Sequence, residues 1–369
     1  MACTGEPSAE KTAQLAYFIP QHQLSWERLN TLASQHRITP FLYRALRDVS
    51  TCPDSFLSTL QQECQAIATD TMLKLHEYKR VTTLLTGHGI RHITFKGIYL
   101  AEHSYPESSL RPIGDMDIMV EANDLYKTIR ILAPDGYELS AKYQPYLQQA
   151  AQVMVDELYE ISLFRPFYAT SRFDIDLHWR VDFLLREIGS FQLGDIYSPA
   201  THSVENQVIL LVVHHGVNNA WGRISYINDL YFLLRSTTID WPWLLEKLKL
   251  HKLDITFFAG LHWCQQCWKF PVPSSVQASM PANQLRLLAK GHEKTWDIQS
   301  AYSFKNMVLH FANAQTLVAD KLTICKVYSR DYIFRASSIN IKNRQIFIPK
   351  EWGLATVVIR ALWALRRRR

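Results

Sequence analysis

The chain of 369 residues contains no window with the roughly eighteen uninterrupted apolar residues that a membrane helix needs. Residues 1–14 are polar and lack the apolar run of a secretory signal, so a cytoplasmic location is expected. The six cysteines, Cys3, Cys52, Cys64, Cys264, Cys267 and Cys325, lack the dense, regular spacing of a secreted disulfide scaffold, and reduced thiols are expected. No internal repeat, low-complexity tract or long linker is present. Also missing are the glycine-rich P-loop with its Lys-Ser/Thr, Gly-x-Gly-x-x-Gly, Gly-x-Ser-x-Gly and His-Glu-x-x-His. Those absences remove the common nucleotide-loop, dinucleotide, serine-hydrolase and zinc-protease readings.

Charge is close to balanced. Lys and Arg number 40 against 34 Asp and Glu, for a net charge of +6. Arg366 to Arg369 account for most of that excess, so nothing in the remainder marks a nucleic-acid surface. The apolar segment Trp352 to Leu365 ahead of these arginines can pack on the protein's own surface, the favoured reading. The alternative is weak peripheral contact with a membrane, its arginines meeting acidic headgroups. With 47% apolar residues the chain can bury a substantial core. Cys264-Gln265-Gln266-Cys267 has no second pair nearby and lies in an apolar helical stretch, which assigns it to that core.

Two segments stand out. In Gly114-Asp115-Met116-Asp117-Ile118-Met119-Val120, strand periodicity places Asp115 and Asp117 on one face and Met116, Ile118 and Val120 on the other. In residues 173–180, Phe173, Ile175, Leu177 and Trp179 form an apolar face opposite Asp174, Asp176, His178 and Arg180. A chain of this length contains about one Asp-x-Asp by chance, so the weight lies in the preceding glycine, the apolar continuation and the second acidic strand. Two carboxylates about 5 Å apart repel by roughly 3 kcal/mol at an effective dielectric of 20. Mg²⁺, a hard ion often shared between carboxylates and a substrate's phosphates, is the natural counter-charge.

The remaining pattern predicts an α+β fold, a small mixed sheet between helical sections. Residues 1–90 read as an N-terminal helical section, 91–200 as the core, 201–300 as a helical bundle and 301–369 as a tail with a basic end. A long helix is expected from Asp54 to Gly87, then a short strand at Ile93 and Phe95 feeding Lys96-Gly97 and a helix from Ile98 to His103. Asn123 is expected to cap a helix stopped by Gly136. Residues 158–164 and 172–180 are expected to pair antiparallel around a turn at 166–171. Arg111 is either a phosphate contact or an ordinary loop arginine. His214, Trp221, Arg223 and Asp229 either line an acceptor pocket or bond helices together.

Phe95-Lys96-Gly97, Tyr105-Pro106, the run Leu110 to Ile118 and Asp176-Leu177-His178-Trp179-Arg180 resemble the uncharacterised nucleotidyltransferase family within the DNA polymerase beta type superfamily. Trp26, Leu29, Ala33, His36, Ile38 and Pro40 resemble its N-terminal helical segment, and His214, His215, Trp221, Arg223 and Asp229 its C-terminal one. The resemblance covers roughly residues 20 to 270. It implies Mg²⁺, two ions, held by Asp115, Asp117 and Asp176, clamping an in-line displacement at the α-phosphate of a nucleoside triphosphate, with ATP the expected one. Asp176 would also help remove the acceptor hydroxyl's proton. Lys96-Gly97 stands where the superfamily usually has Gly-Ser, so Lys96, Gly97, Arg111 and Gly114 are the nucleotide-binding candidates. The implied activity is nucleotidyl transfer to a hydroxyl of a small molecule, peptide or protein. Alternatives are a catalytically silent nucleotide-binding regulator of the same fold and a metal-dependent phosphoester hydrolase.

Overall fold

Alternation of apolar and polar residues around residues 116–120 and 171–178 produces the two strands that organise the protein. In the computed structural model, described over residues 8–144, 146, 151–168, 171–197, 203–297, 303–334, 337–341, 344–348 and 352–367, they are neighbours in a five-stranded mixed sheet. Its strands are β1 (His92–Thr94), β2 (Met116–Val120), β3 (Glu138–Leu139), β4 (Glu160–Tyr168) and β5 (Ser171–His178), in the order β1-β2-β5-β4-β3. Only β2 and β5 run parallel, with Asp117 beside Asp176 and Ile118 beside Leu177. The other pairings are antiparallel. With helices flanking this sheet, the fold is α+β.

One sheet face closes on Tyr78, Val81 and Leu85 of the long helix Asp54–Gly87 and on Leu125 and Leu132 of the helix Leu125–Leu132. Met116, Ile118, Val120, Phe173, Ile175 and Leu177 fill it, as the alternation predicts. Full burial of each such side chain contributes about 1.5–3 kcal/mol. Met119, on the acid-bearing face of β2, is also buried and joins a second, larger cluster. That cluster is built from the N-terminal helices and the helices Ser203–Leu211, Ile224–Arg235, Trp241–Leu250 and Asp254–Trp268. Helices therefore cover both faces of β2, and the acids lie where the second cluster stops.

Element boundaries differ from expectation in three places. Asn123 does not cap its helix: it sits inside a 3₁₀ turn, Ala122–Asp124, and Gly136 ends a second such turn at φ +84°. The β4–β5 strands run further toward their turn than residues 158–164 and 172–180 suggest, because Arg165–Phe173 and Pro166–Arg172 still pair. β5 ends at His178, with Arg180 starting a separate two-stranded pair, Arg180–Asp182 with Ser190–Gln192. The segment after 301 holds helices Phe304–Asn313, Val318–Phe334 and Leu354–Arg367 and a hairpin of Ser337–Ile341 with Arg344–Ile348.

Cys264 is buried and its thiol donates to Ile227 O, which accords with a core role, and Cys52, Cys64, Cys264, Cys267 and Cys325 are all free thiols. Cys3 lies outside the described residues. Among the described residues no helix is long and apolar enough to cross a membrane.

Candidate active site

Register brings the acids together. β1 is antiparallel to β2 with Thr94 beside Ile118, so the chain leaving β1 through Phe95 and Lys96 runs alongside Asp117. Phe95 N donates to Asp117 O at 3.4 Å. On the other side of β2, Asp176 of β5 is level with Asp117, and Ser162 of β4 is level with Asp176. One row further along, His178 pairs with Glu160. Asp115 comes just before β2 and is half-buried.

Asp117 is 3% exposed, and its Oδ1 accepts from Lys96 Nζ at 2.7 Å and His178 Nε2 at 3.0 Å. Burial works against its charge, but the Lys96 ammonium and the His178 hydrogen bond outweigh it and hold the carboxyl below the usual range. Asp115 and Asp176 differ. Burial pushes both upward, and the charges of Asp117 on Asp115, and of Asp115 and Asp117 on Asp176, push further against the Ser162 hydrogen bond to Asp176. Burial likewise raises Glu160, whose Oε2 lies 3.3 Å from His178 Nδ1 without making a hydrogen bond. One carboxylate is therefore neutralised and the others are short of positive charge.

Lys96 adopts φ +57°, in the left-handed region, and opens the helix Lys96–His103. Gly97 follows because space is tight: a Cβ there would sit 3.3 Å from Arg111 Nη1. Arg111 itself is engaged elsewhere. Its Nε and Nη2 donate to Asp229 Oδ1 and Oδ2, both at 2.9 Å, and Nη1 donates to Pro112 O at 2.6 Å. Tyr105 and His215 also bond Asp229, at 2.7 and 3.0 Å, and His215 Nδ1 meets His214 Nδ1 at 2.9 Å. Of the residues left open between acceptor pocket and internal bonding, Asp229 is thus an internal node. Trp221 is another: fully buried, it donates to Thr256 O at 2.9 Å.

Glu160, Ser162 and Arg37 are not singled out by the sequence pattern. Glu160 lies within an expected strand, and its pairing with His178 leaves no local signal. Arg37 comes from a loop far upstream, at φ +54°, and its guanidinium lies over Gly114, with Nη2 3.5 Å from where a Cβ would be. Burial, then Arg111 and Arg223, pull its pKa down, opposed by Tyr226 and Asp115. Among the described residues it makes no ion pair, and Tyr226 and then Asp115 are the groups that favour its charge. A cavity of about 230 Å³ among Phe183, Leu250, His251, Phe311 and Ile324 lies elsewhere and holds none of these groups.

Oxygen donors of this kind suit a hard divalent ion: Asp115 and Asp176 are desolvated carboxylates beside Asp117 whose cationic neighbours offset burial and repulsion only in part. Among the described residues no three acid, His or Cys side chains already close around one point as a preformed cage. The match is therefore one of charge and donor type, of the sort a substrate's phosphates complete.

Paired acids on adjacent parallel strands beside a cationic helix start form the candidate site. A family model described as an uncharacterised nucleotidyltransferase matches residues 22–269, about two-thirds of the chain, and the protein belongs to that family. Nucleotidyl transfer is the general activity this membership supports. No curated protein matches the chain.

Proposed function

We propose that the protein is a magnesium-dependent nucleotidyltransferase that moves a nucleoside monophosphate from a triphosphate, ATP the first to test, to a hydroxyl of a small-molecule, peptide or protein acceptor. The observation that carries this reading is the in-register pair Asp117 and Asp176, with Asp115 beside them, of which two remain short of positive charge. Asp115, Asp117 and Asp176 would hold the metal. When bound, it would neutralise the developing charge on the transferring phosphate and lower the acceptor's pKa.

The chain's own residues divide the remaining work. Lys96 and His178 hold Asp117 ionised and fix its orientation. Asp176, made more basic by burial and by its acidic neighbours, would help take the acceptor's proton. Arg37, above Gly114 and in no ion pair among the described residues, would offer the phosphates a guanidinium. Arg111 serves instead by locking Gly97 and the loop before β2 to the Ile224–Arg235 helix through Asp229.

One observation favours a second reading, a silent nucleotide-binding protein: Lys96 Nζ already rests against Asp117. Incubation with Mg²⁺ and each labelled triphosphate, with and without cell extract, separates the two. Transfer predicts label on an acceptor, released pyrophosphate, and a loss of at least about 100-fold in Asp115→Asn and Asp117→Asn, the scale of removing a principal electrostatic stabiliser. Nucleotide binding without turnover would support the silent reading, and phosphate or monophosphate release without an acceptor would indicate a hydrolase. If both variants bound metal and nucleotide as tightly as the parent, the site would lie elsewhere.

A further inference from the structure

The helix Ser203–Leu211 runs on into a single wide π turn, Val212–Val217, which carries His214 and His215. Such turns are uncommon and are often found at functional sites. The chain beyond it is strained: Ala220 and Trp221, at φ +47° and +50°, both enter the left-handed region that residues with a Cβ avoid. That conformation grips the two histidines. Asn219 Nδ2 donates to His214 O at 2.6 Å and Trp221 N to His215 O at 2.7 Å, while the His215 ring stacks on Tyr226 with centroids 4.2 Å apart.

Hydrogen bonds then fix the proton on each ring. Asp229 is ionised, its charge met by two bonds from Arg111, so His215 Nε2, 3.0 Å away, must donate to it. Burial keeps His215 neutral against the pull of Asp229. A neutral imidazole has one N–H, so His215 Nδ1 is bare and the 2.9 Å bond to it comes from His214 Nδ1. Burial, then the charges of Lys96, His215, His178 and Arg111, keep His214 neutral in turn. Its Nε2 is therefore a bare lone pair. Among the described residues nothing bonds that nitrogen, and His214 is half-buried where His215 is fully buried.

His214 belongs to the side of the site where the nucleotide is expected, since a run of contacts leads from it through His215, Asp229 and Arg111 to Gly97 at the helix start. Ionised phosphates have no proton to give, so a bare nitrogen there rejects them and takes a donor. The donors of a nucleotide nearest its phosphates are the sugar hydroxyls. Resting on the nucleotide-binding part of the proposed function, we infer that His214 Nε2 accepts a hydrogen bond from a ribose hydroxyl of the bound triphosphate, which makes the site selective for ribonucleotides. Asp229 and His215 are positioning residues for that nitrogen.

Binding measured without turnover tests this. Titration calorimetry of the full chain with Mg²⁺ compares ATP with 2′-deoxy-ATP and 3′-deoxy-ATP. The parent is expected to bind one of the two deoxynucleotides about 10-fold more weakly than ATP, the scale of one hydrogen bond lost from a desolvated group. His214→Phe, or His214→Leu if that variant does not fold, is expected to bind the three alike. Nitrogen-15 spectra of the histidine-labelled chain, assigned by the signal missing in the variant, are expected to show His214 neutral with its proton on Nδ1. Equal affinities in the parent overturn the inference and leave nucleotidyl transfer standing, as does a preference that survives in the variant or a proton on His214 Nε2. A parent that binds none of the three nucleotides overturns both this inference and the nucleotide-binding reading on which it rests.

Discussion

Asp115 is half-buried, faces Asp117, and has only partial relief from Lys96, Arg37 and Arg111. Its carboxyl is raised by burial first and by Asp117 second, so in the metal-free protein its negative charge opposes folding at neutral pH. Asp115→Asn removes that charge with little change of shape. The metal-free variant is expected to melt about 1–3 °C above the parent, as a solvent-screened repulsion of roughly half to one kcal/mol would produce. The same substitution is expected to abolish the Tm gain from Mg²⁺ with nucleotide. Differential scanning calorimetry with and without the metal measures both, and an unchanged or lower metal-free Tm would show that Asp115 is not held under electrostatic strain. Those two outcomes together would set stability and function in opposite directions at this residue, which distinguishes a binding carboxylate from a structural one.

At the scale of elements, β2 and β5 do the essential work because they are the parallel pair. An antiparallel neighbour would have placed the acid row of one strand against the other in reverse order; parallel register sets Asp117 level with Asp176. The terminal helix Leu354–Arg367 is arranged differently. Thr356 points inward and is fully buried, while Leu354, Val358 and Leu362, one turn apart, are exposed. Arg366 and Arg367 close this helix, and Arg368 and Arg369 lie outside the described residues. An apolar stripe ending in arginines is suited to an anionic lipid surface. In sedimentation the chain is expected to follow vesicles containing phosphatidylserine and to remain in solution with purely zwitterionic ones. The double variant Leu354→Glu with Leu362→Glu places charge at both ends of the stripe and is expected to release the protein; equal recovery of parent and variant with the vesicles would assign the stripe no such role.

Across the whole molecule, the site depends on ties between distant segments. Asp229, fully buried, receives Arg111, Tyr105 and His215 and so joins the loop before β2 to two helices of the second half. His36 does the same for the N-terminal section: Nε2 donates to Trp296 O at 2.9 Å, and Ile224 N donates to Nδ1 at 3.3 Å. That clamp sets Arg37 over Gly114. Asp229→Ala leaves a buried guanidinium without its partner and is expected to cost about 3–5 kcal/mol in urea unfolding. The pH dependence has a definite sign. Burial opposes the Asp229 charge, but Arg111 and His215 hold its carboxyl well below the usual range, so its stabilisation is present above the unfolded aspartate value and is lost as pH falls through the depressed folded value. The parent is expected to lose stability progressively on acidification through that window, and Asp229→Asn to show a flatter acid limb; identical acid limbs would remove Asp229 as the source.

The residue pattern alone determined the helix Asp54–Gly87, the apolar faces of β2 and β5, and the alternation that groups Asp115 with Asp117 and Asp176 with His178. These are consequences of short-range geometry, a period of 2 in strands and 3.6 in helices, which any stretch of chain carries with it. Asn123 shows the limit even there, since a capping residue type became part of a 3₁₀ turn once Leu125 and Leu132 were drawn into the sheet's core. Only the tertiary structure decided that Lys96 meets Asp117, that Arg111 is taken up by Asp229, that Glu160 joins His178, and that Arg37 reaches Gly114. Each of those contacts joins residues on different elements, and which nitrogen finds which oxygen depends on strand register and helix docking, where burial makes every unpaired charge costly.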